Sequence, residues 1–248
     1  MRTRRVVFAL LLMAAPAAAQ DAQPQPPPPP PGWIGSASAG LALTQGNSDT
    51  SNVNLAYEVK RETASPWVFK STGLFLRGES EGELITNRLA FNAREEWKWS
   101  ERTSLFGQLQ YMRDTFKEID YLWSPNVGVN RYLIKGERTE LNVDAGVGMV
   151  WEKNPGFELD TAGAVTAGQA LQHKLTATTT FTQKVAALWK MEDFEDALYA
   201  FTLGLAANVT DAIQMKAELL DTYKNKPPSA TVVKNDVAFV LSFVYKFD

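Results

Sequence analysis

From Trp33 onward, apolar residues return at every second position rather than at helical spacing. That period belongs to β-strands whose two faces meet different surroundings. One segment sets Val53, Leu55, Tyr57 and Val59 against Asn52, Asn54, Glu58 and Lys60. Another sets Leu141, Val143, Ala145, Val147, Met149 and Trp151 against Glu140, Asn142, Asp144, Gly146, Gly148 and Glu152, and the last carries Val237, Phe239, Leu241, Phe243, Tyr245 and Phe247. Clusters of Gly, Asn, Asp, Pro and charge divide the chain into about twelve such segments, each near the ~10 residues a tilted barrel strand needs. They start near Trp33, Thr50, Trp67, Leu84, Ser104, Tyr121, Thr139, Leu159, Thr176, Asp196, Ile213 and Thr231.

Connections near residues 62–66, 100–103, 135–138, 172–175 and 209–212 read as tight, and most of the others, such as 153–158 and 224–230, as longer. Short turns on one side and longer loops on the other describe an outer-membrane barrel with the short side periplasmic. The seven tryptophans fall at segment ends, on the apolar face. Trp33, Trp67, Trp97 and Trp99 lie on the short-turn side; Trp123, Trp151 and Trp189 lie on the long-loop side with Tyr111, Tyr121 and Tyr199. Two aromatic girdles bounding an apolar band mark a surface that faces lipid. The expected fold is therefore all-β, a transmembrane antiparallel up-and-down β-barrel of about twelve strands over residues 33–248, with odd-numbered residues facing lipid. Counts of ten or fourteen stay open, because residues 186–200 and 211–226 also read as amphipathic helices and residues 163–168 are small. A soluble periplasmic sandwich or lipocalin-like barrel would keep the alternation, but its core would have to hold far more Phe, Trp, Leu and Val than it could enclose.

The N-terminus gives the destination. Arg2, Arg4 and Arg5 precede an apolar run over residues 6–15 and then Ala17, Ala18 and Ala19, the layout of a secretory signal peptide over residues 1–19. Residues 20–32 form a Pro-rich periplasmic linker, with six consecutive prolines at 26–31 that favour a stiff polyproline II spacer. Without cysteine, the chain has neither disulfides nor thiolate metal sites. Removing the three leader arginines from the 25 basic residues leaves 22 against 28 acidic ones, so nucleic acid is not an expected partner.

The first predicted hairpin reads Trp33-Ile34-Gly35, Gly40 and Leu43-Thr44-Gln45-Gly46-Asn47-Ser48-Asp49-Thr50. Gly46 and Asn47 suit a tight turn with positive φ. With the leader and the aromatic final strand, this stretch resembles the YdiY-like salt-induced outer membrane proteins, a domain of unknown function (DUF481), from about Trp33 to the C-terminus. The resemblance implies a barrel in the outer membrane of a Gram-negative-type bacterium and no established activity. The ending Phe243-Val244-Tyr245-Lys246-Phe247 looks like the signal read by the barrel-assembly machinery, although Asp248 follows the aromatic.

Chemistry is sparse. The single histidine, His173, falls in a predicted turn beside Lys174, and outer-membrane phospholipases and omptin proteases both depend on histidine, so the chain departs from both patterns. Adjacent Glu95 and Glu96 point to opposite faces of a strand and cannot act as a dyad. No cofactor is expected. The lumenal face carries Lys60, Lys70, Arg88, Arg94, Lys98, Lys184, Lys216 and Lys246 against Glu58, Glu96, Glu140, Asp144, Glu218 and Asp236. Such a mixture suits a lumen filled by mutual ion pairs, or the charged lining of a pore. Acidic groups on the long-loop side, namely Glu79, Glu81, Glu83, Glu118, Asp120, Glu158, Asp160, Glu192, Asp193, Glu195 and Asp196, could share divalent cations with lipopolysaccharide phosphates. The functional expectation is a non-enzymatic envelope or osmotic (salt-stress) role among outer-membrane lipid and lipopolysaccharide. A narrow channel for ions or small solutes is the first alternative, and an outer-membrane enzyme acting on lipid or peptide the second.

Overall fold

The computed structural model describes residues 32–43, 50–80, 83–230 and 232–247. The leader, most of the linker, the Gly46-Asn47 turn and Asp248 lie outside these residues. Twelve strands follow one another: β1 (Gly32–Leu43), β2 (Thr50–Glu62), β3 (Trp67–Ser80), β4 (Glu83–Lys98), β5 (Thr103–Asp114), β6 (Ile119–Lys135), β7 (Thr139–Lys153), β8 (Asp160–Lys174), β9 (Thr179–Lys190), β10 (Ala197–Asn208), β11 (Ile213–Lys224) and β12 (Asn235–Phe247). Each pairs antiparallel with its sequence neighbours, and β1 pairs with β12 through Ala37↔Tyr245 and Ala39↔Phe243, closing the barrel. Closure leaves no unpaired strand edge. It also settles the two helix-like stretches as strand, because a helix at either place would open an edge on both sides of the gap. Among the described residues no helix is long and apolar enough to cross a membrane.

The outer surface is the apolar one. Val53, Leu55, Val127, Val147, Met149, Leu205, Phe239 and Phe243 are all exposed on it, an arrangement that water would oppose and hydrocarbon favours. Where this face lacks a side chain, a neighbour fills in: the Tyr57 ring lies over Gly73, 2.2 Å from where a Cβ would stand, and its hydroxyl meets Ser71 Oγ at 3.1 Å.

Odd-out, even-in parity holds along most strands and fails at irregularities. Register shifts fall between Gly78 and Glu79, between Met112 and Asp114, and between Tyr132 and Ile134. Across the second of these, the odd-numbered Ile119 pairs with Asp114 and is only 1% exposed. Two predicted starts move as well: β9 begins at Thr179, because Thr176 turns the chain by accepting from the amides of Thr178 and Thr179, and β12 begins at Asn235.

Candidate functional site: the lumen

The tryptophans fall in two groups at the strand ends. On the short-turn side Trp67 is registered opposite Trp97, Trp33 packs edge-on to Phe69 with ring centres 5.8 Å apart under Arg61, and Trp99 is exposed. On the other side Trp123 pairs with Trp151, Tyr111 lies 4.6 Å from Trp123, and Trp189 Nε1 donates to the Tyr199 hydroxyl at 2.9 Å.

Even-numbered charges point inward and find partners in layers. Nearest the short turns, Glu62 joins Lys60 and, at 2.5 Å, Lys98. Above it Glu96, 4% exposed, accepts from Lys70 at 2.9 Å and lies in an ion pair 2.8 Å from Arg94, and Arg94 reaches Asp144 at 3.6 Å. The Arg94 guanidinium also stacks 3.7 Å over the Phe106 ring. That ring fits only because Gly128 and Gly146 face it: a Cβ on either would stand 2.6 and 3.3 Å from Phe106 Cζ. In the middle of the bore Glu58 meets Lys184 at 2.9 Å and Lys216 meets Glu218 at 2.8 Å. Lys246 donates to Asn208 at 3.3 Å, while Glu140 stays exposed near the rim on the short-turn side.

The mouth at the long-loop end is braced hardest. Asp114 Oδ1 accepts from the amides of Phe116 and Lys117 at 3.1 and 3.3 Å, winding residues 115–117 into one 3₁₀ turn. Its Oδ2 takes Arg88 at 2.6 Å, and Arg88 goes on to Thr222 at 2.8 Å. Glu118, left-handed at φ 52, ends the turn, and Asn154 Nδ2 donates to its carbonyl at 2.6 Å. The turn drives Lys117, fully buried, across the opening to Asp236 Oδ2 at 2.9 Å and the Val233 carbonyl at 2.8 Å. Beside it Glu152 binds Lys224 and, at 2.8 Å, Lys190, which also holds Asp160 and Asp196 at 2.6 Å each. Below these pairs Ile119, Leu122, Val150, Ala162, Ala164 and Leu188 pack as a buried apolar cluster on the wall.

These contacts cross the bore. In a ring of twelve strands, β4 and β11 stand five strands apart, as do β2 and β9, and β7 and β11 stand four apart. Arg88–Thr222, Glu58–Lys184 and Glu152–Lys224 therefore tie nearly opposite walls.

Alternation along single strands did not mark Asp114, Lys117, Glu152, Lys190 and Lys224 as a mouth assembly. Four of them are even-numbered, so parity was available as a signal, but Lys117 enters from the connecting turn. Asp160 and Asp196, expected among the loop acids that could share divalent cations, pair with Lys190. Oxygens of Glu152, Asp160 and Asp196 lie within 4.8 Å of one another, but the Lys190 ammonium already bonds all three, so a divalent ion fits only by displacing it. In the loops, a hydrogen bond from Lys226 holds the Asp193 carboxyl below its ordinary 3.8, and Asp193 and Glu195 raise Lys226 in turn.

His173 corrects its expectation. It lies within β8, not in a turn, and its Nδ1 is 2.7 Å from Thr139 Oγ1. A hydroxyl–imidazole contact needs a third group to orient the base before it resembles a nucleophilic unit; among the described residues no carboxylate bonds this ring.

The barrel is similar to the NanC porin (TM-score 0.55, 8% identity, covering 86% of this chain and 100% of that one) and the KdgM porin (0.51, 8%, 86% and 99%). It is also similar to the COG4313 outer membrane channel from Pseudomonas putida F1 (0.50, 14%, 94% and 100%). At such identities the likeness is one of fold, that of outer-membrane barrels. No curated protein sequence matches the chain significantly. The sequence profile of a family described as "Protein of unknown function, DUF481" matches residues 37–247, so the chain belongs to the DUF481 family, that of the YdiY-like proteins.

Proposed function

We propose that this protein is a non-enzymatic integral barrel of the outer membrane whose bore is held shut by cross-lumen ion pairs, and that it serves the envelope structurally or in osmotic adaptation. One observation carries the reading: the bridges Asp114–Arg88–Thr222, Lys117–Asp236 and Glu152–Lys224 span the mouth at the long-loop end, with Arg88, Asp114, Lys117, Glu152 and Lys224 no more than 12% exposed. Buried pairs of this kind hold their geometry because separating either partner strands a charge away from water. The osmotic part rests on the family resemblance. A gated channel is the second reading, favoured by two cavities in the middle of the bore and by neighbours described as porins and a channel.

Planar-bilayer recording of the refolded protein tests this. The native protein is expected to be silent. Combining Lys117→Met with Arg88→Met, which unties the mouth turn from β11 and β12, is expected to give stepwise conductance. Steady ohmic steps from the native protein at low salt would overturn the closed-bore reading in favour of the channel.

A further inference from the structure

Glu58–Lys184 differs from every other pair across the bore. Glu58 and Lys184 both line a cavity of about 390 Å³, and Lys184 also lines an adjoining one of about 200 Å³. Although it sits at the centre of the molecule, both its side chains are half exposed, 52% for Lys184 and 51% for Glu58. Among the described residues each remaining cross-bore pair has at least one partner at 13% or less. Glu58–Lys184 is thus the cross-bore contact whose two side chains are both open to the cavity, within reach of anything that enters it. It is the pair a ligand displaces most easily.

The larger chamber is amphipathic. Leu74, Met112, Leu122, Leu188, Leu198 and Leu220 give it an aliphatic wall, while Glu58, Lys184, Lys216 and Glu218 gather at its charged end. Four residues up β2, about 13 Å along the strand, Asn54 also lines it, only 1% exposed and with its Nδ2 lacking a protein partner. The volume lies within the range of small-molecule sites.

We infer that this chamber binds an aliphatic zwitterion, a free amino acid or short peptide, by opening the Glu58–Lys184 pair. This rests on the closed-bore reading, under which the chamber is an internal site. The ligand's ammonium replaces Lys184 at Glu58, its carboxylate replaces Glu58 at Lys184, and its hydrocarbon body lies on the leucine wall. The exchange conserves charge: two ions lose one partner and gain another. A simple anion leaves Glu58 only Lys216, which Glu218 already holds, and a simple cation leaves Lys184 only Glu218, which Lys216 already holds; a neutral sugar satisfies neither while covering the leucines with hydroxyls, so each mismatch leaves a polar group underpaired. A peptide long enough to reach Asn54 offers that free N–H a carbonyl.

Titration calorimetry of the refolded protein tests the assignment, with leucine and leucyl-leucine as probes. Saturable binding is expected for at least one probe. For the probe that binds, the N-acetyl form and the C-terminal amide, each lacking one charge, should bind at least tenfold more weakly. Glu58→Gln and Lys184→Met should each weaken binding by a similar factor, while Glu140→Gln, outside both chambers, should leave it unchanged. Absence of saturable binding of either probe to protein of native, heat-modifiable mobility overturns the proposal, as does equal binding of the capped and uncapped forms. Because the analogues act on native protein, the result does not depend on every variant folding. Calorimetry also needs no conduction: silence without binding removes this inference alone, and binding by a conducting barrel removes the closed-bore reading alone.

Discussion

Asp114→Ala is expected to lower the stability of the refolded barrel by about 3–5 kcal/mol, the range for breaking one side of a buried ion pair. Asp114 and Arg88 are 3% and 12% exposed. Without the carboxylate, the guanidinium keeps only the Thr222 hydroxyl, and the turn at 115–117 loses the acceptor that winds it. Asp114→Asn separates the two effects, because asparagine still accepts from the turn amides while losing the charge. It should fall between alanine and native. Adding Arg88→Met to Asp114→Ala should restore part of the loss, since no buried charge is then left alone. Denaturant midpoints of folding in lipid vesicles measure all three, and a loss below about 1 kcal/mol for Asp114→Ala would mean that water reaches the mouth and the brace is a surface pair.

The second large effect lies on the opposite face. Val127 is 61% exposed and sits midway along β6, registered between Gly107 and Val147. Val127→Arg is expected to cost about 2–4 kcal/mol in a bilayer, the cost of arginine at the midplane of a membrane barrel. On a water-exposed surface the same change would stay within about 0.5 kcal/mol. Val209→Arg, equally exposed in the turn after β10, is the control and should change little. Equal small effects at both positions would place Val127 in water.

The architecture was largely legible because a strand in this barrel separates two solvents. Lipid outside and a charged bore inside impose period two on Leu141–Trp151 and Val237–Phe247 with little ambiguity. Tryptophan marks the boundaries, since its ring suits hydrocarbon and its N–H suits the headgroups. The chemistry of the bore was legible as faces but not as partners. Parity puts Arg88 inside; that it meets Asp114 and Thr222 depends on closure and on the order of strands around the ring, neither of which one strand's pattern contains. Lys117 escaped because a register shift and a 3₁₀ turn intervene between β5 and β6, where period two has no meaning. Asp160 and Asp196 read as loop acids open to a divalent cation because nothing local announces that Lys190 comes between them. His173 was taken for a turn residue because the boundary of β8 falls one residue beyond it, an error within the usual uncertainty of strand ends.

The central claim is that the odd-numbered face meets lipid and the two tryptophan girdles mark its edges. Depth-resolved quenching of tryptophan fluorescence tests it most directly, using the chain from Gln20 onward refolded into vesicles whose lipids carry a quencher at a chosen depth in the acyl chain. The predicted result is strong quenching by probes near the headgroups, weaker quenching by probes at the bilayer centre, and a requirement for lipid or detergent to keep the protein in solution. A monodisperse protein that stays soluble without either, with tryptophans that no lipid probe quenches, would contradict the account.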